Sequence, residues 1–223
     1  MEFESLIFDI DGTLWDSRAL VAAGYNAQLQ AEGLERFCVD AEVLKTVFGK
    51  VMTEIADILF AQLPAAERYP LLERCMAREG QTLRDDPCRI GYPGVRQTLE
   101  RLHESHRLFI VSNSQSGYPQ LCMEKLGLNH LISGHLCFGD TGTCKGDTIK
   151  KLMEDHNITS ACYVGDTMGD MEAADHAGIP FIYCAYGFGQ ASHYWKKIDS
   201  FPQLLELCGD APAGDSLRTA SDK

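Results

Sequence analysis

Two aspartates separated by one residue close the first apolar segment of the chain. Asp9 and Asp11 follow the apolar residues 6–8, and Gly12 comes directly after them. A short apolar run of this kind predicts a fully buried strand of a parallel sheet. Charged side chains are rarely buried without a partner, and open parallel sheets bind ligands at the ends of their strands. An Asp-Gly pair alone would suit a plain turn, but its place after a buried strand favours a functional site.

Two further aspartates follow a later apolar segment. Asp166 and Asp170 lie just after residues 161–164, although acids are also common at helix N-termini for electrostatic reasons alone. If these side chains meet Asp9 and Asp11, their like charges repel one another. A hard cation removes that repulsion, and Mg²⁺ prefers one or two carboxylates together with water and phosphate oxygen atoms. Asp9, Asp11 and Asp166 together therefore predict a Mg²⁺ site.

Polar residues that could bind phosphate occur at two other positions. Ser112 and Asn113 follow a second apolar segment, and the Ser112 hydroxyl and the Asn113 backbone N–H could donate to phosphate oxygens. An ordinary polar turn is the alternative. Lys145 stands at a predicted helix start, where a lysine opposes the helix dipole. That unfavourable placement hints at another role, with Lys150 and Lys151 on the same helix as alternatives.

Strands and helices alternate along most of the chain. The alternation indicates parallel βαβ units with right-handed crossovers, and hence an α/β fold with a doubly wound parallel sheet. Short apolar segments predict five strands, at residues 6–8, 108–111, 135–138, 161–164 and 180–184. Helical patterns lie between or after them, at residues 95–103, 119–126, 145–156, 171–177 and 204–207.

The segment from about residue 18 to 84 shows helical spacing without a strand, which predicts four or five helices in an inserted domain. Ser17 and Asp40 are candidate N-caps, and Pro64 and Pro70 are expected to begin or end helices. The predicted division is a core at 1–16 and 88–208, a helical insert at 17–87, and a disordered tail at 209–223, which is rich in Gly, Pro, Ser and Asp.

Composition restricts the class of protein further. The 223 residues are 45% apolar and carry a net charge of −12, which argues against a nucleic-acid or anionic-membrane partner. The cysteines are odd in number, at nine, and no two form a Cys-x-x-Cys pair, so we expect reduced thiols in a cytoplasmic protein. The acidic start does not resemble a signal peptide, and no run of about 18 apolar residues predicts a membrane span.

Four motifs in this order resemble the haloacid dehalogenase-like superfamily of phosphohydrolases. The first is Asp9-x-Asp11-Gly-Thr-Leu, and it is followed by Ser112, by Lys145 and by the stretch Gly-Asp-Thr-Met-Gly-Asp at 165–170. The resemblance extends to about residue 189. It implies a Rossmann-like core with an inserted helical cap domain.

The resemblance also implies a role for each matching residue. Asp9 would be the nucleophile that forms an aspartyl-phosphate, and Asp11 would protonate the leaving alcohol and later deprotonate the attacking water. The Asp9 and Asp166 carboxylates and the Asp11 backbone carbonyl would bind Mg²⁺. Asp170 would hold a metal-bound water or support Lys145, which would link nucleophile and phosphate as a point charge.

Two positions depart from the family pattern or extend it. Many relatives have proline after the lysine, whereas this chain has Gly146 and Asp147 there, so Lys150 and Lys151 remain alternatives. In the cap, residues 48–50 occupy the place where relatives carry a loop that reaches the substrate. Lys50 could contact the leaving group, or it could be a solvated helix lysine.

These features favour a Mg²⁺-dependent phosphatase of small phosphomonoesters, similar to phosphoglycolate phosphatases. The partner expected is a small phosphorylated metabolite, and the expected assembly is a monomer or weak homodimer. A phosphomutase similar to β-phosphoglucomutase is the alternative, and Thr13 favours the phosphatase weakly. A dehalogenase is disfavoured because those relatives lack the second aspartate and the metal. A non-catalytic regulatory protein would not need a nucleophile and an acid together.

Overall fold

A parallel sheet of six strands forms the centre of the molecule. The computed structural model describes residues 3–87 and 90–208. Its strands are β1 (Ser5–Phe8), β2 (Arg107–Ser112), β3 (Ile132–Cys137), β4 (Ala161–Gly165), β5 (Phe181–Cys184) and β6 (Lys196–Ile198). They are ordered β3-β2-β1-β4-β5-β6, and every pairing is parallel. The predicted α/β class and doubly wound parallel sheet are confirmed.

The central strand explains why the site forms where it does. Ile7 of β1 lies beside Phe109 of β2 on one side and Tyr163 of β4 on the other. Strand order reverses at β1, and ligands of doubly wound sheets bind outside the carboxyl ends of the strands at such a point. The residues that follow β1 and β4 therefore share one edge with the end of β2.

Helices cover both faces of the sheet. Leu6 and Phe8 face one apolar core and Ile7 faces the other, as the two-residue period of a strand requires. The core helices are α5 (Val95–Leu102), α6 (Tyr118–Leu126), α7 (Phe138–Thr141), α8 (Lys145–Asp155), α9 (Met168–Ala177) and α10 (Leu204–Leu207). Helices α5 and α6 supply residues to the first core, and α8 and α9 supply residues to the second.

Four helices between β1 and β2 have an apolar core of their own. They are α1 (Arg18–Ala31), α2 (Ala41–Val47), α3 (Met52–Leu59) and α4 (Ala65–Asp85), with a short 3₁₀ turn at Glu35–Phe37. Leu29, Leu44 and Phe60 are fully buried within this cluster. The separate core supports the proposed insert at 17–87, which we call the cap.

Helices α1 and α4 approach closely because of one glycine. A Cβ atom added to Gly24 of α1 would lie 2.7 Å from the Glu79 Cα of α4, closer than real Cβ contacts allow. Asp40 caps α2 as predicted, since its Oδ1 accepts from the backbone N–H groups of Glu42 and Val43. The cap therefore combines a local N-cap with one close crossing of two helices.

The structure differs from the sequence-based expectation at Pro70, at the third strand and at the far edge of the sheet. The strand predicted at 135–138 begins earlier, at Ile132, and ends at Cys137. The prediction that Pro70 begins or ends a helix is wrong, because Pro70 lies inside α4, whereas Pro64 does precede that helix. Leu71 and Leu72 follow Pro70 and are buried, so packing offsets the backbone hydrogen bond that proline cannot make. Strand β6 was not predicted, because it has only three residues and two exposed lysines. Lysines of this kind protect sheet edges from further pairing.

The predictions about disulfides and membrane spans can be compared with the described residues only. None of the eight cysteines within them forms a disulfide bond. No described helix combines the length and apolar character that crossing a bilayer requires. The predicted disordered tail at 209–223 lies outside the described residues.

Candidate active site

The carboxyl edge of the sheet collects the predicted charged residues. Asp9 directly follows β1, Asp166 directly follows β4, and Lys145 is the first residue of α8. Asp170 lies in the first turn of α9. All four side chains are buried, with at most 5% of each residue exposed. Burial of four charges is tolerable only where they pair with one another or with a ligand.

Lys145 pairs with two of these aspartates. Its Nζ donates to Asp9 Oδ1 over 2.7 Å and to Asp170 Oδ1 over 2.6 Å. Burial lowers the pKa of Lys145, but the charges of Asp170 and Asp9 outweigh it and hold the pKa well above its ordinary value. Lys150 and Lys151 are exposed on the outer side of α8. The geometry therefore favours Lys145 over both alternatives, although Gly146 follows it rather than proline.

Asp170 is fully occupied by protein donors. Its Oδ2 accepts from the backbone N–H groups of Asp166 and Thr167 and from the Thr167 hydroxyl, at 2.7–3.1 Å. Burial raises the pKa of Asp170, but Lys145 and the Thr167 bonds more than reverse that effect and leave it below its ordinary value. Since Lys145 occupies the other oxygen, the contacts favour Asp170 as a support for Lys145.

Asp166 has the opposite arrangement. Its Oδ2 accepts from the Phe188 backbone N–H over 2.6 Å, whereas its Oδ1 is buried and has no hydrogen-bond partner within the described residues. Burial, followed by the charges of Asp170 and Asp9, raises the pKa of Asp166 well above its ordinary value. An unpartnered carboxylate oxygen at this depth is costly unless something binds it.

A hard cation fits this group of residues. One carboxylate oxygen from each of Asp9, Asp166 and Asp170 lies within 4.8 Å of the others, and Asp166 Oδ1 has no protein partner. Burial raises the pKa of Asp9 to about 7, against the opposing charge of Lys145. An added divalent charge would favour the ionised forms of these acids. Asp9 and Asp166 are therefore the side chains best placed to hold a divalent cation.

Gly12 allows the loops around Asp166 to close. It has a φ of +85°, which favours glycine, and a Cβ at this position would lie 2.2 Å from Asp166 Oδ2. Gly187 approaches from the other side, where a Cβ would lie 2.3 Å from the Asp166 Cβ. The glycine after the two aspartates thus has a geometric role: it makes room for the third carboxylate.

Asp11 accepts hydrogen bonds from three protein donors. Its Oδ1 accepts from Trp15 Nε1 over 2.8 Å, from the Tyr118 hydroxyl over 2.9 Å, and from the Ser17 hydroxyl. Burial raises the pKa of Asp11 to about 6, and these hydrogen bonds oppose the rise. A carboxyl with a raised pKa is suited to proton transfer near neutral pH.

This arrangement changes the interpretation of Ser17 and adds Trp15 and Tyr118 to the site. Ser17 precedes α1 but makes no side-chain cap bond, because its hydroxyl donates to Asp11 instead. Trp15 is fully buried and both packs and donates. Tyr118 was missed, because it lies 107 residues from Asp11 and no local pattern marks it.

We expect Tyr118→Phe to lower kcat by on the order of tenfold while changing the KM of a phosphomonoester little. The change removes one hydrogen bond to a charged group, a loss of about 1.5–3 kcal/mol at most, and leaves Asp11 free to adopt other rotamers. Steady-state kinetics would measure both constants. A kcat equal to that of the wild-type protein would show that Trp15 and Ser17 suffice to orient Asp11.

A small cavity between cap and core opens onto Asp9. It offers about 40 Å³ to the centres of water molecules, room for about three of them. Its core wall includes Ser112, Asn113 and Ser114 at the end of β2. The Ser112 hydroxyl accepts from the Ser114 backbone N–H over 3.2 Å, while Asn113 Oδ1 and Ser114 Oγ are buried without a partner in the described residues. The Ser112 and Ser114 hydroxyls can donate to phosphate oxygens above Asp9, whereas Asn113 Oδ1 can only accept a hydrogen bond.

The cap meets the core through the loop between α2 and α3. Asn113 Nδ2 donates to the Gly49 carbonyl over 2.7 Å, and the Phe48 and Phe188 rings lie 5.7 Å apart. Lys50 lines the cavity, but its side chain is 43% exposed and its Nζ lies 3.9 Å from a Glu54 carboxylate oxygen. The structure therefore places Lys50 at the rim and brings the other predicted residues together at Asp9.

Comparison with known proteins identifies the family. Residues 6–184 match the family described as haloacid dehalogenase-like hydrolase. The chain belongs to the haloacid dehalogenase-like hydrolases. The resemblance predicted from the four motifs is thereby confirmed, and with it the assignment of this hydrolase to the enzymes.

Curated relatives of this hydrolase match nearly its whole length. A phosphoglycolate phosphatase of Xanthomonas campestris pv. campestris is 30% identical over 214 residues, which cover 91% of this chain and 95% of the relative. Another, from Aliivibrio fischeri, is 28% identical over 221 residues and 92% of each chain. This hydrolase is thus similar to phosphoglycolate phosphatases.

Solved structures show the same fold. A haloacid dehalogenase-like family protein from Streptococcus pneumoniae has a TM-score of 0.78 at 20% identity, over 92% of this chain and 98% of that one. A predicted phosphoglycolate phosphatase from Haemophilus somnus also has a TM-score of 0.78, at 23% identity, over 93% and 98%. At these identities the likeness supports the architecture alone.

Proposed function

We propose that this hydrolase is a Mg²⁺-dependent phosphatase that cleaves small phosphomonoesters through an aspartyl-phosphate on Asp9. The observation that carries the proposal is the placement of Lys145 Nζ between Asp9 and Asp170, beside the unpartnered Asp166 Oδ1. A phosphoryl group above Asp9 would meet positive charge from one side and the polar end of β2 from the other. The similarity to phosphoglycolate phosphatases supports a small substrate.

In the first step, an Asp9 carboxylate oxygen attacks phosphorus and forms an O–P bond, while the bond from phosphorus to the leaving alcohol oxygen breaks. Asp11 donates a proton to that alcohol oxygen. Lys145 holds the Asp9 carboxylate and attracts the phosphoryl oxygens, and Ser112 and the Asn113 N–H bind them from the opposite side.

In the second step, water attacks the phosphorus of the phosphoaspartate, and Asp11 accepts its proton. The O–P bond to Asp9 breaks, and inorganic phosphate leaves the regenerated carboxylate. Bound Mg²⁺ would neutralise phosphate oxygens through both steps, held by the Asp9 and Asp166 carboxylates and the Asp11 backbone carbonyl.

The make-up of the cavity favours a phosphatase over a mutase. A mutase must hold a second, distal phosphate, and arginine usually binds such groups in bidentate fashion. Among the described residues that line the cavity there is no arginine, and the cations are Lys145 at the nucleophile and Lys50 at the rim. These residues fit best a reaction in which water, and not a sugar hydroxyl, attacks the phosphoaspartate.

We expect the purified protein to release inorganic phosphate from short-chain phosphomonoesters, including phosphoglycolate, and not to interconvert β-glucose 1-phosphate and glucose 6-phosphate. Free phosphate and the two sugar phosphates are measured after incubation with each substrate, with glucose 1,6-bisphosphate as primer. Isomerisation faster than phosphate release would overturn the hydrolase and leave a mutase. No phosphoryl transfer of either kind would favour a regulatory protein on this fold.

A further inference from the structure

A buried glutamate of the cap faces the same cavity and has no part in the steps above. Glu79 lies in α4, is 4% exposed, and lines the cavity together with Asp9 and Asp11. It lies where α4 crosses Gly24 of α1 at close range. The close crossing places the Glu79 backbone against Gly24, where a larger side chain would not fit.

We propose that Glu79 selects the leaving group, so that the enzyme prefers phosphomonoesters of short alcohols carrying a hydroxyl or ammonium group over those carrying a carboxylate. The inference rests on the proposed phosphatase function and narrows its substrate class. Glu79 would accept a hydrogen bond from the distal group of the substrate while the phosphoryl group occupies the position above Asp9.

The charges around the distal end of the cavity support this selection. Apart from Glu79, the cap side of the cavity presents Val21, Tyr25, Phe48, Met52 and Ile55, and Lys50 at its rim. Lys50 is partly exposed and lies near Glu54, so among the described residues the cap side of the cavity offers a substrate carboxylate no buried cation. Burying such a charge without a partner is costly, whether Glu79 is ionised or neutral.

A hydrogen-bond donor on the leaving group suits Glu79 whether its carboxyl is ionised or protonated, because both forms have an oxygen that accepts. Burial raises the pKa of Glu79 to about 8 and the charge of Asp11 adds to the rise, whereas hydrogen bonds with Tyr25 and Gln115 oppose it. An ammonium group would form an ion pair with the ionised carboxyl. A hydroxyl group would hydrogen-bond to it without a change in charge.

Three two-carbon substrates test the proposal, because they differ chiefly in the distal group: 2-hydroxyethyl phosphate, phosphoethanolamine and phosphoglycolate. We expect kcat/KM to be at least about tenfold higher for the better of the first two than for phosphoglycolate, the effect of one hydrogen bond to a charged group. Whether hydroxyl or ammonium is preferred follows from the same comparison. A higher kcat/KM for phosphoglycolate than for both donors would overturn the proposal.

Glu79→Gln separates selection from a structural role. Above about pH 8, where the Glu79 carboxyl is ionised, the change keeps the shape of the side chain and removes its charge, so we expect phosphoethanolamine to lose about tenfold in kcat/KM relative to phosphoglycolate. Glu73→Gln, an exposed position on the same helix, should leave all ratios unchanged. An equal loss for all three substrates in Glu79→Gln would show that Glu79 only supports the fold, and melting temperatures report that directly.

Binding measurements keep the proposal testable if the phosphatase function fails. Calorimetry of the three compounds with Asp9→Asn in the presence of Mg²⁺ ranks them without turnover. Tighter binding of a donor compound than of phosphoglycolate would sustain the role of Glu79 even if no phosphate is released. Tighter binding of phosphoglycolate, or binding of none of the three, would overturn it.

Discussion

Asp9→Asn abolishes turnover, with an expected loss on the order of 10⁴- to 10⁶-fold in kcat, the scale at which removal of a nucleophile acts in other enzymes. The amide cannot attack phosphorus as the carboxylate does, and it offers Lys145 no charge to hold. The acyl-phosphate should therefore disappear along with the activity. Rapid quenching of the wild-type protein with substrate, followed by intact mass measurement, would show the added phosphoryl group, and the variant should show none.

Two further variants sharpen this result. Asp11→Asn should still accept the phosphoryl group, but it should turn over about 10²- to 10⁴-fold more slowly because general acid–base catalysis is lost. Its first step should be less impaired with p-nitrophenyl phosphate, whose leaving group needs little protonation. Asp155→Asn, at an exposed pair with Lys151, is the matched surface control and should keep full activity. Near-normal turnover by Asp9→Asn would mean that another residue is the nucleophile.

Removal of divalent cations is expected to eliminate activity completely, and addition of Mg²⁺ should restore it. The physical reason is the convergence of Asp9, Asp166 and Asp170 around a single cationic side chain, Lys145. Without a further cation, the unpartnered Asp166 oxygen and the phosphate oxygens would face one another. Ca²⁺ should support the reaction poorly, because its larger and looser coordination does not hold in-line geometry. Phosphate release after dialysis against a chelator measures both effects.

A stability measurement provides an independent check of the cation site. Mg²⁺ should raise the melting temperature of the wild-type protein, since a ligand that binds the folded state stabilises it. Asp166→Asn should remove most of that increase and most of the activity. Asp199→Asn, at an exposed surface pair with Lys197, should leave the Mg²⁺-dependent increase intact. Full turnover in excess chelator would refute the metal assignment.

The sequence predicted best those features that are encoded locally. Asp9 and Asp166 follow apolar runs that could be recognised as strands, and Lys145 stands at the helix start where it was expected. Parallel pairing then brings the strand ends together whatever the detail of the loops. For this reason the α/β class and the group of charged residues at the sheet edge could be predicted before any distance was known.

Features that depend on tertiary contacts could not be predicted. Tyr118 reaches Asp11 across 107 residues of sequence, and its position before a proline in α6 resembles that of any buried tyrosine. Glu79 is one of several acids in α4, and tertiary contacts, including those with Tyr25 and Gln115, distinguish it from the exposed ones. Ser17 looks like a helix cap because its chemistry suits one, but Asp11 is the partner it finds. In each case the residue type indicates which hydrogen bonds the side chain can make, but not which residue it bonds to.

The position of β1 at the centre of the sheet has a consequence for synthesis. Its neighbours β2 and β4 lie roughly 100 and 150 residues further along the chain. At about 5–20 residues per second, β1 therefore waits on the order of ten to thirty seconds for its second neighbour. The local contacts of α1–α4 can form in the meantime, whereas long-range strand pairing is slow. A nascent chain stalled before residue 161 would carry Asp9 on a strand with one edge unpaired, a form open to aggregation and to capture by chaperones.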